Sequence, residues 1–154
     1  ASLRQYEIHM YAARDPAVVA SVEKLRDGRG IAVHIHPFLP YDALMRLHGR
    51  ARCSIAISET DGICTSAIEA MLMGSVPIQS DTSCLAEWTE FDAALLVPHD
   101  DPAAIAAAVR RAVNDNELVD AAARSNDDTL KARFAEDVVN PRIVAMYRDA
   151  IRLR

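Results

Sequence analysis

The sequence predicts an α/β fold: a Rossmann-like parallel sheet with helices on both faces. Two observations predict it. Apolar runs of about five residues alternate with helical stretches of ten or so along most of the chain, and strands joined through helices pair in parallel. The runs are also nearly continuous in apolar residues, as strands covered on both faces require. The 154 residues suffice for one domain with its own core, so residues 1–154 are expected to form a single domain.

The elements follow in order. YEIHMY at 6–11 is the first strand. Residues 16–27 have helical spacing, with Asp15 as N-cap, Pro16 at the first helical position and Gly28 placed to close the helix. IAVHI at 31–35 is the second strand, and YDALMRLHGR at 41–50 a short helix entered through Pro40. CSIAI at 53–57 is the third strand. A glycine turn and a helix follow it, ending at Gly74 with Pro77 beyond. VPIQS at 76–80 is a fourth strand, SCLAEWTEF at 83–91 a short helix and AALLV at 93–97 a fifth strand. Asp101 and Pro102 open a helix over 102–113, which its alanines mark as a packing element. The tail from 115 reads as helix in two or three pieces, broken near Ser125 and at Asn140-Pro141.

Bulk composition excludes several classes. Apolar residues make up 51% and charged residues 25%, with a net charge of −5 and no basic tract. Reading nucleic acid through a phosphate-binding face is therefore not expected. No apolar run reaches transmembrane length. ASLRQYEIHM lacks a basic region followed by an apolar stretch, so no signal peptide is expected there. Cys53, Cys64 and Cys84 match no zinc knuckle or CxxC spacing, and a reducing cytoplasm is their natural compartment. Cys53 and Cys84 read as small core residues, with Cys64 more exposed in the glycine turn.

In doubly wound sheets, ligands lie beyond the carboxyl ends of the strands. Residues 36–41, 58–66 and 80–84 qualify, and 58–66 carries the most chemistry. Gly62 permits a positive φ or a close backbone approach. The amides of Cys64, Thr65 and Ser66 would open the next helix and suit an anion or a diphosphate. The plain alternative is an ordinary capped βα turn. Glu69 has two readings. Ser66-Ala67-Ile68-Glu69 fits the S-x-x-E capping box. Alternatively, its two carboxylate oxygens accept from a vicinal diol such as a ribose. Asp61 is either an Asx-turn residue or a group aimed at sugar hydroxyls, with Glu59 as a rival.

The histidines promise less. His34 and His36 share a strand face, but no third ligand is evident and the chain turns at Pro37, so no metal site is expected. His9 reads as a strand residue, and His48 and His99 as solvent-facing. No GxSxG, Walker A, GxGxxG or HExxH pattern occurs. Trp88 reads as packing, and Glu87 as a surface charge or a brace for the site.

SETDGICTSAIEAMLMGSVPIQSD at 58–81 resembles the signature of retaining GT-B glycosyltransferases of the family-4 type. That signature is an acid, a glycine turn, a helix opening on Glu-Ala-Met, a glycine, and a strand beginning Val-Pro. Asp61 and Glu69 fall on the two acids of its E-x7-E pattern, with Asp in place of the first Glu. FLPYDALMRLHGRARCSIAIS, SDTSCLAEW, AALLVPHDDPAAIAAAVRRAVNDNEL and PRIVAMYRDAIR are similar, in order, to further blocks of the family. Nearly the whole chain is covered.

The resemblance implies the C-terminal, donor-binding half of a GT-B fold. Glu69 would hold the ribose of a nucleotide-diphosphate sugar. The turn at Gly62, Ile63, Cys64, Thr65 and Ser66 would hold the diphosphate, and Asp61 would contact the donor sugar as the catalytic acid residue. The loop with His36 and Phe38 would lie near the base. The resemblance implies no cofactor and no protein-bound metal. Departures stand at Cys64 for a glycine of the turn, Ser83-Cys84 for the next loop's double glycine, and His36-Pro37 for the usual glycine. YEIHMYAARDP looks like the family's second strand of this half. The first strand–helix unit, its basic clamp and the N-terminal acceptor domain are therefore expected to be missing, and Arg14 does not match the clamp. The isolated chain is then expected to be inactive.

The resemblance points to a cytoplasmic enzyme, or one at the inner membrane face with peripheral membrane association, that moves a hexosyl unit to a glycan or lipid-linked acceptor. Pairing of two chains through an exposed sheet edge is a further expectation. The competing readings are a nucleotide-sugar-binding module without turnover and a flavodoxin-like receiver. The receiver lacks an acidic pocket after the first strand.

Overall fold

A computed structural model describes residues 5–12, 14–62, 64–89 and 93–152. The chain divides into two compact units, Ala1–Leu47 and His48–Arg154. The first unit contains strand β1 (Glu7–Tyr11), helix α1 (Pro16–Arg29) and strand β2 (Ala32–His36). The two strands pair in parallel, with His9 opposite His34 and Tyr11 opposite His36. Asp15 caps α1, as its Asp-Pro signal predicts, accepting from the Ala17 amide at 2.8 Å. The helix runs past Gly28, however. Gly30, at φ 62°, closes it by donating to the Arg26 carbonyl. No described residue up to Leu47 is fully buried.

Helix α2 (Tyr41–Arg50) leads into the second unit. There β3 (Cys53–Ala56), β4 (Val76–Ser80) and β5 (Leu95–Val97) form a parallel sheet in the order β3-β4-β5. Helix α3 (Thr65–Leu72) joins β3 to β4, and a 3₁₀ turn at Cys84–Glu87 stands where a short helix is expected. Helices α4 (Pro102–Asn114), α5 (Asn116–Phe134) and α6 (Glu136–Arg152) complete the unit. All five residues of β4 are buried, as a central strand demands. Ala108 and Ala112 of α4 and Leu118 and Ala122 of α5 pack with Val76, Ile78, Leu95 and Val97. The alanines let the helices approach the sheet closely. A second cluster joins Ala67 and Met71 of α3 to Leu85 and to Leu130 of α5.

Two features of the tail differ from expectation. Helix α5 passes through Ser125 without a break, because Asn126 faces inward and donates from Nδ2 to the Ala93 carbonyl at 2.9 Å. This buried hydrogen bond ties the polar stretch to the core while it remains helical. The break falls instead at Ala135, whose ψ of 144° is extended, and Pro141 lies inside α6. Helix α6 buries no residue and exposes Ile143, Met146, Tyr147 and Ile151. No helix among the described residues is long and apolar enough to cross a membrane.

Candidate functional site

The loops after β3 and β4 are laced together at the carboxyl ends of their strands. The Ser58 amide donates to Ser80 Oγ at 3.2 Å, and Thr82 Oγ1 donates to the Ser58 carbonyl at 3.1 Å. Asp61 and Ser83 form an isolated parallel bridge, and the Cys84 amide donates to the Gly62 carbonyl at 3.3 Å. These bonds hold residues 58–62 against 80–84. The sequence reading took 58–66 and 80–84 as separate turns. Their polar residues Ser58, Ser80 and Thr82 were the available signal, and only strand order reveals that they meet.

Helix α3 begins at Thr65, with Cys64 as N-cap at φ −70° and ψ 103°. Ala67 and Ile68 donate to the Cys64 carbonyl at 3.0 and 3.2 Å. The amides of Thr65 and Ser66 have no backbone acceptor among the described residues. The Cys64 side chain makes no capping hydrogen bond. Burial pushes its thiol up, and the Ala67 amide works against that shift. The Asp61 carboxylate also raises it, and the Ser66 amide lowers it. Cys64 is half-buried, as are Cys53 and Cys84. Thr65 is exposed and Ser66 half-buried. Ile63 lies outside the described residues.

This start excludes the capping box. With Cys64 as N-cap, Ser66 is the second helical residue and Glu69 the fifth, so neither occupies a box position. Glu69 is half-buried on α3 with no capping duty.

Gly62 does not use the left-handed freedom that the sequence allowed it. Its φ lies outside the left-handed region, and a Cβ there would meet nothing within 4 Å. Gly74 does need its freedom. At φ 85° it follows α3 in a Schellman turn, with Ser75 donating to the Ala70 carbonyl at 2.8 Å and Gly74 to Met71 at 3.0 Å. Gly74→Ala is expected to cost about 1–2 kcal/mol in urea unfolding, the left-handed penalty of an L-residue. Gly62→Ala should stay within about 0.5 kcal/mol of the parent.

His48, read as solvent-facing, is buried at 3% exposure. The amphipathic α2 turns it inward at the helix's last turn. Burial pushes its pKa down, and the Glu69 carboxylate opposes that shift in part. A histidine held neutral in the fold stabilises it fully above the unfolded pKa of about 6.5. That contribution is lost as pH falls from there through the lower folded value. Stability should therefore decline between neutral pH and pH 5, by at most about 1.4 kcal/mol per pH unit from this group. The difference between parent and His48→Gln in denaturant melts across that range isolates it. A constant difference would contradict the assignment.

The remaining candidates are distributed as follows. His36 ends β2, half-buried, and Phe38 is 75% exposed in the loop after it, both in the first unit. Asp61 is half-buried and Glu59 exposed. Glu87 is exposed, and its carbonyl accepts from Arg133, whose guanidinium lies 5.0 Å from the centre of the Trp88 ring. Trp88 also packs on Phe134, which supports its packing role. A concavity of about 640 Å³ runs along β5 and α4, lined by Thr89, Leu96, Ala107 and Arg111 among others. It contains none of the acidic or helix-terminus groups at 61–69.

The comparisons with known proteins agree with this architecture. The family model for glycosyl transferases group 1 matches residues 15–128. The chain is similar in fold to a sucrose-phosphate synthase from Thermosynechococcus elongatus, at 20% identity and a TM-score of 0.82 over 96% of this chain and 39% of that one. It is also similar to a UDP-forming α,α-trehalose-phosphate synthase from Burkholderia vietnamiensis, at 17% identity and a TM-score of 0.69 over 90% and 35%. The chain thus spans well under half the length of these structures. No curated protein matches it. With the match covering most of its length, from the Asp15 cap into α5, the chain belongs to the glycosyl transferases group 1 family.

Proposed function

We propose that this chain is the donor-binding domain of a retaining glycosyltransferase. The full protein would move a hexosyl unit from a nucleotide-diphosphate sugar to a glycan or lipid-linked acceptor. The observation that carries the reading is the start of α3. Its first amides lack backbone acceptors among the described residues, and Glu69 stands on the same helix without a capping role. Glu69 accepts from the ribose diol, and the amides of Cys64, Thr65 and Ser66 receive the diphosphate. Asp61, held by its bridge to Ser83, faces the donor sugar. Gly62 and Ile63 complete the turn, and His36 and Phe38 serve the base.

The chemistry follows from charge. The departing diphosphate develops negative charge, and fixed amides at a helix terminus stabilise it without reorganising. A phosphate oxygen takes the acceptor's proton as the new glycosidic bond forms, so no protein-bound metal is required. Work on a nucleotide-sugar donor suits the cytoplasm or the inner membrane face. The alternative, a nucleotide-sugar-binding module without turnover, draws on Cys64. Its thiol lies by the amides of Ala67 and Ser66, where the diphosphate would sit.

Thermal shift of the isolated chain with UDP, GDP and ADP tests the site. One of the three should protect it, and silence from all three removes donor binding. Sugar transfer or donor hydrolysis by the full-length protein then separates enzyme from module.

A further inference from the structure

Three imidazoles and a carboxylate gather on one face of the β1–β2 sheet. Side chains alternate along a strand, and the parallel register sets His9 beside His34. Glu7, His9 and Tyr11 therefore share a face with Ala32, His34 and His36, while Ile8, Met10, Val33 and Ile35 take the other. The His9 and His34 rings stack with centroids 4.7 Å apart, and those of His9 and His36 at 5.4 Å. Glu7 Oε2 lies 3.4 Å from His9 Nε2 and 3.9 Å from His34 Nε2. One donor atom from each of Glu7, His9 and His34 falls within 4.8 Å of the other two.

These separations suit a small cation. With Zn–N and Zn–O bonds of about 2.0–2.1 Å, neighbouring donors around a tetrahedral zinc stand about 3.3 Å apart. Two of the distances are within roughly 0.6 Å of that value, a gap that rotation of exposed side chains closes. Glu7 and His34 are both exposed.

One tautomer of the cluster accommodates a metal. His9 Nδ1 lies 3.1 Å from His36 Nε2, so one of the two nitrogens donates to the other. When His36 donates instead, His9 Nε2–H donates to Glu7 Oε2 at 3.4 Å; when His9 donates, its Nε2 lone pair faces the carboxylate and a cation can take the proton's place. A metal-bound histidine usually has its second ring N–H held by an outer partner in this way.

We propose that Glu7, His9 and His34 form a binding site for a divalent transition-metal ion of the zinc class, with His36 holding His9 in the ligating tautomer. Two imidazoles and a carboxylate with a fourth position open to solvent is a donor set zinc accepts. The metal joins β1 to β2 across the sheet, so its binding stabilises the first unit. None of Glu7, His9 and His34 is among the residues proposed to hold the donor.

The test uses the tag-free, chelator-treated chain, with zinc added by calorimetric titration and circular dichroism to verify folding. One zinc per chain is expected, with weaker binding below about pH 6 because the imidazoles must be neutral. His34→Ala and Glu7→Ala should each weaken binding by more than about 10-fold, and His36→Ala by roughly 10-fold, the usual effect of losing an outer partner. His99→Ala and Glu69→Ala should leave it unchanged. Absence of zinc binding overturns the proposal. So does zinc bound equally well by the folded His34→Ala and Glu7→Ala variants, which would assign the metal to other groups such as the cysteines.

Discussion

Glu69→Ala is expected to remove the protection that a nucleoside diphosphate gives the chain. A hydrogen bond to a charged group contributes roughly 1.5–3 kcal/mol, and losing about 2.7 kcal/mol weakens binding about 100-fold. A ligand present at 100 times its Kd stabilises the fold by about 2.7 kcal/mol. After a 100-fold loss the same concentration equals Kd and stabilises by only about 0.4 kcal/mol. The thermal shift should therefore almost vanish. The ligand-free variant should unfold near the parent's midpoint, because Glu69 caps nothing. A substantial drop in the ligand-free protein would return the residue to a structural role. Nucleotide protection that survives in Glu69→Ala would exclude it as the ribose partner. The variant also removes the carboxylate that favours charged His48, so the acid-side loss of stability should steepen.

What the sequence made legible was the periodic and the local. Asp15-Pro16 and Asp101-Pro102 announce their helix starts, and both aspartates accept the expected amides. Gly74 ends α3 as its spacing suggests. β4 was read to the residue because Gly74 before it and Asp81 after it bracket the five positions, although Gln79 and Ser80 are polar. Two misreadings depended on a partner far along the chain. The stretch near Ser125 looked like a break, but Asn126 beside it finds its acceptor in the Ala93 carbonyl. His48 looked exposed, yet it is buried with the Glu69 carboxylate acting on it. His34 and His36 show no third ligand by spacing, and strand register brings His9 and Glu7 beside them. The Ser66–Glu69 spacing matched a capping box, but the helix starts with Cys64 as its cap, and a shift of two positions cancels the motif. Spacing alone does not fix a helix start to that accuracy.

Met71→Ala should have the largest effect on stability, and it shows how the site depends on the core beneath it. Ala67, Ala70 and Met71 form the buried stripe of α3, and Met71 is fully buried against Ala67, Leu85 and Leu130. Truncating such a side chain removes its transfer energy and leaves a cavity, at a cost of about 2–5 kcal/mol. That is a large share of the roughly 5–15 kcal/mol a domain possesses. Leu72, the next residue, is 54% exposed, and Leu72→Ala should stay within about 0.5 kcal/mol. Urea melts of the two variants compare adjacent positions on one helix with opposite burial. Glu69 lies two residues before Met71, and the Leu85 it packs against follows the loop bonded to residues 58–62. Loosening this contact should weaken nucleotide binding through the folded fraction rather than through lost chemistry. Excess nucleotide should accordingly restore part of the Met71→Ala stability, whereas it should do almost nothing for Glu69→Ala. Equal stability of Met71→Ala and Leu72→Ala would mean that α3 is not anchored through this stripe.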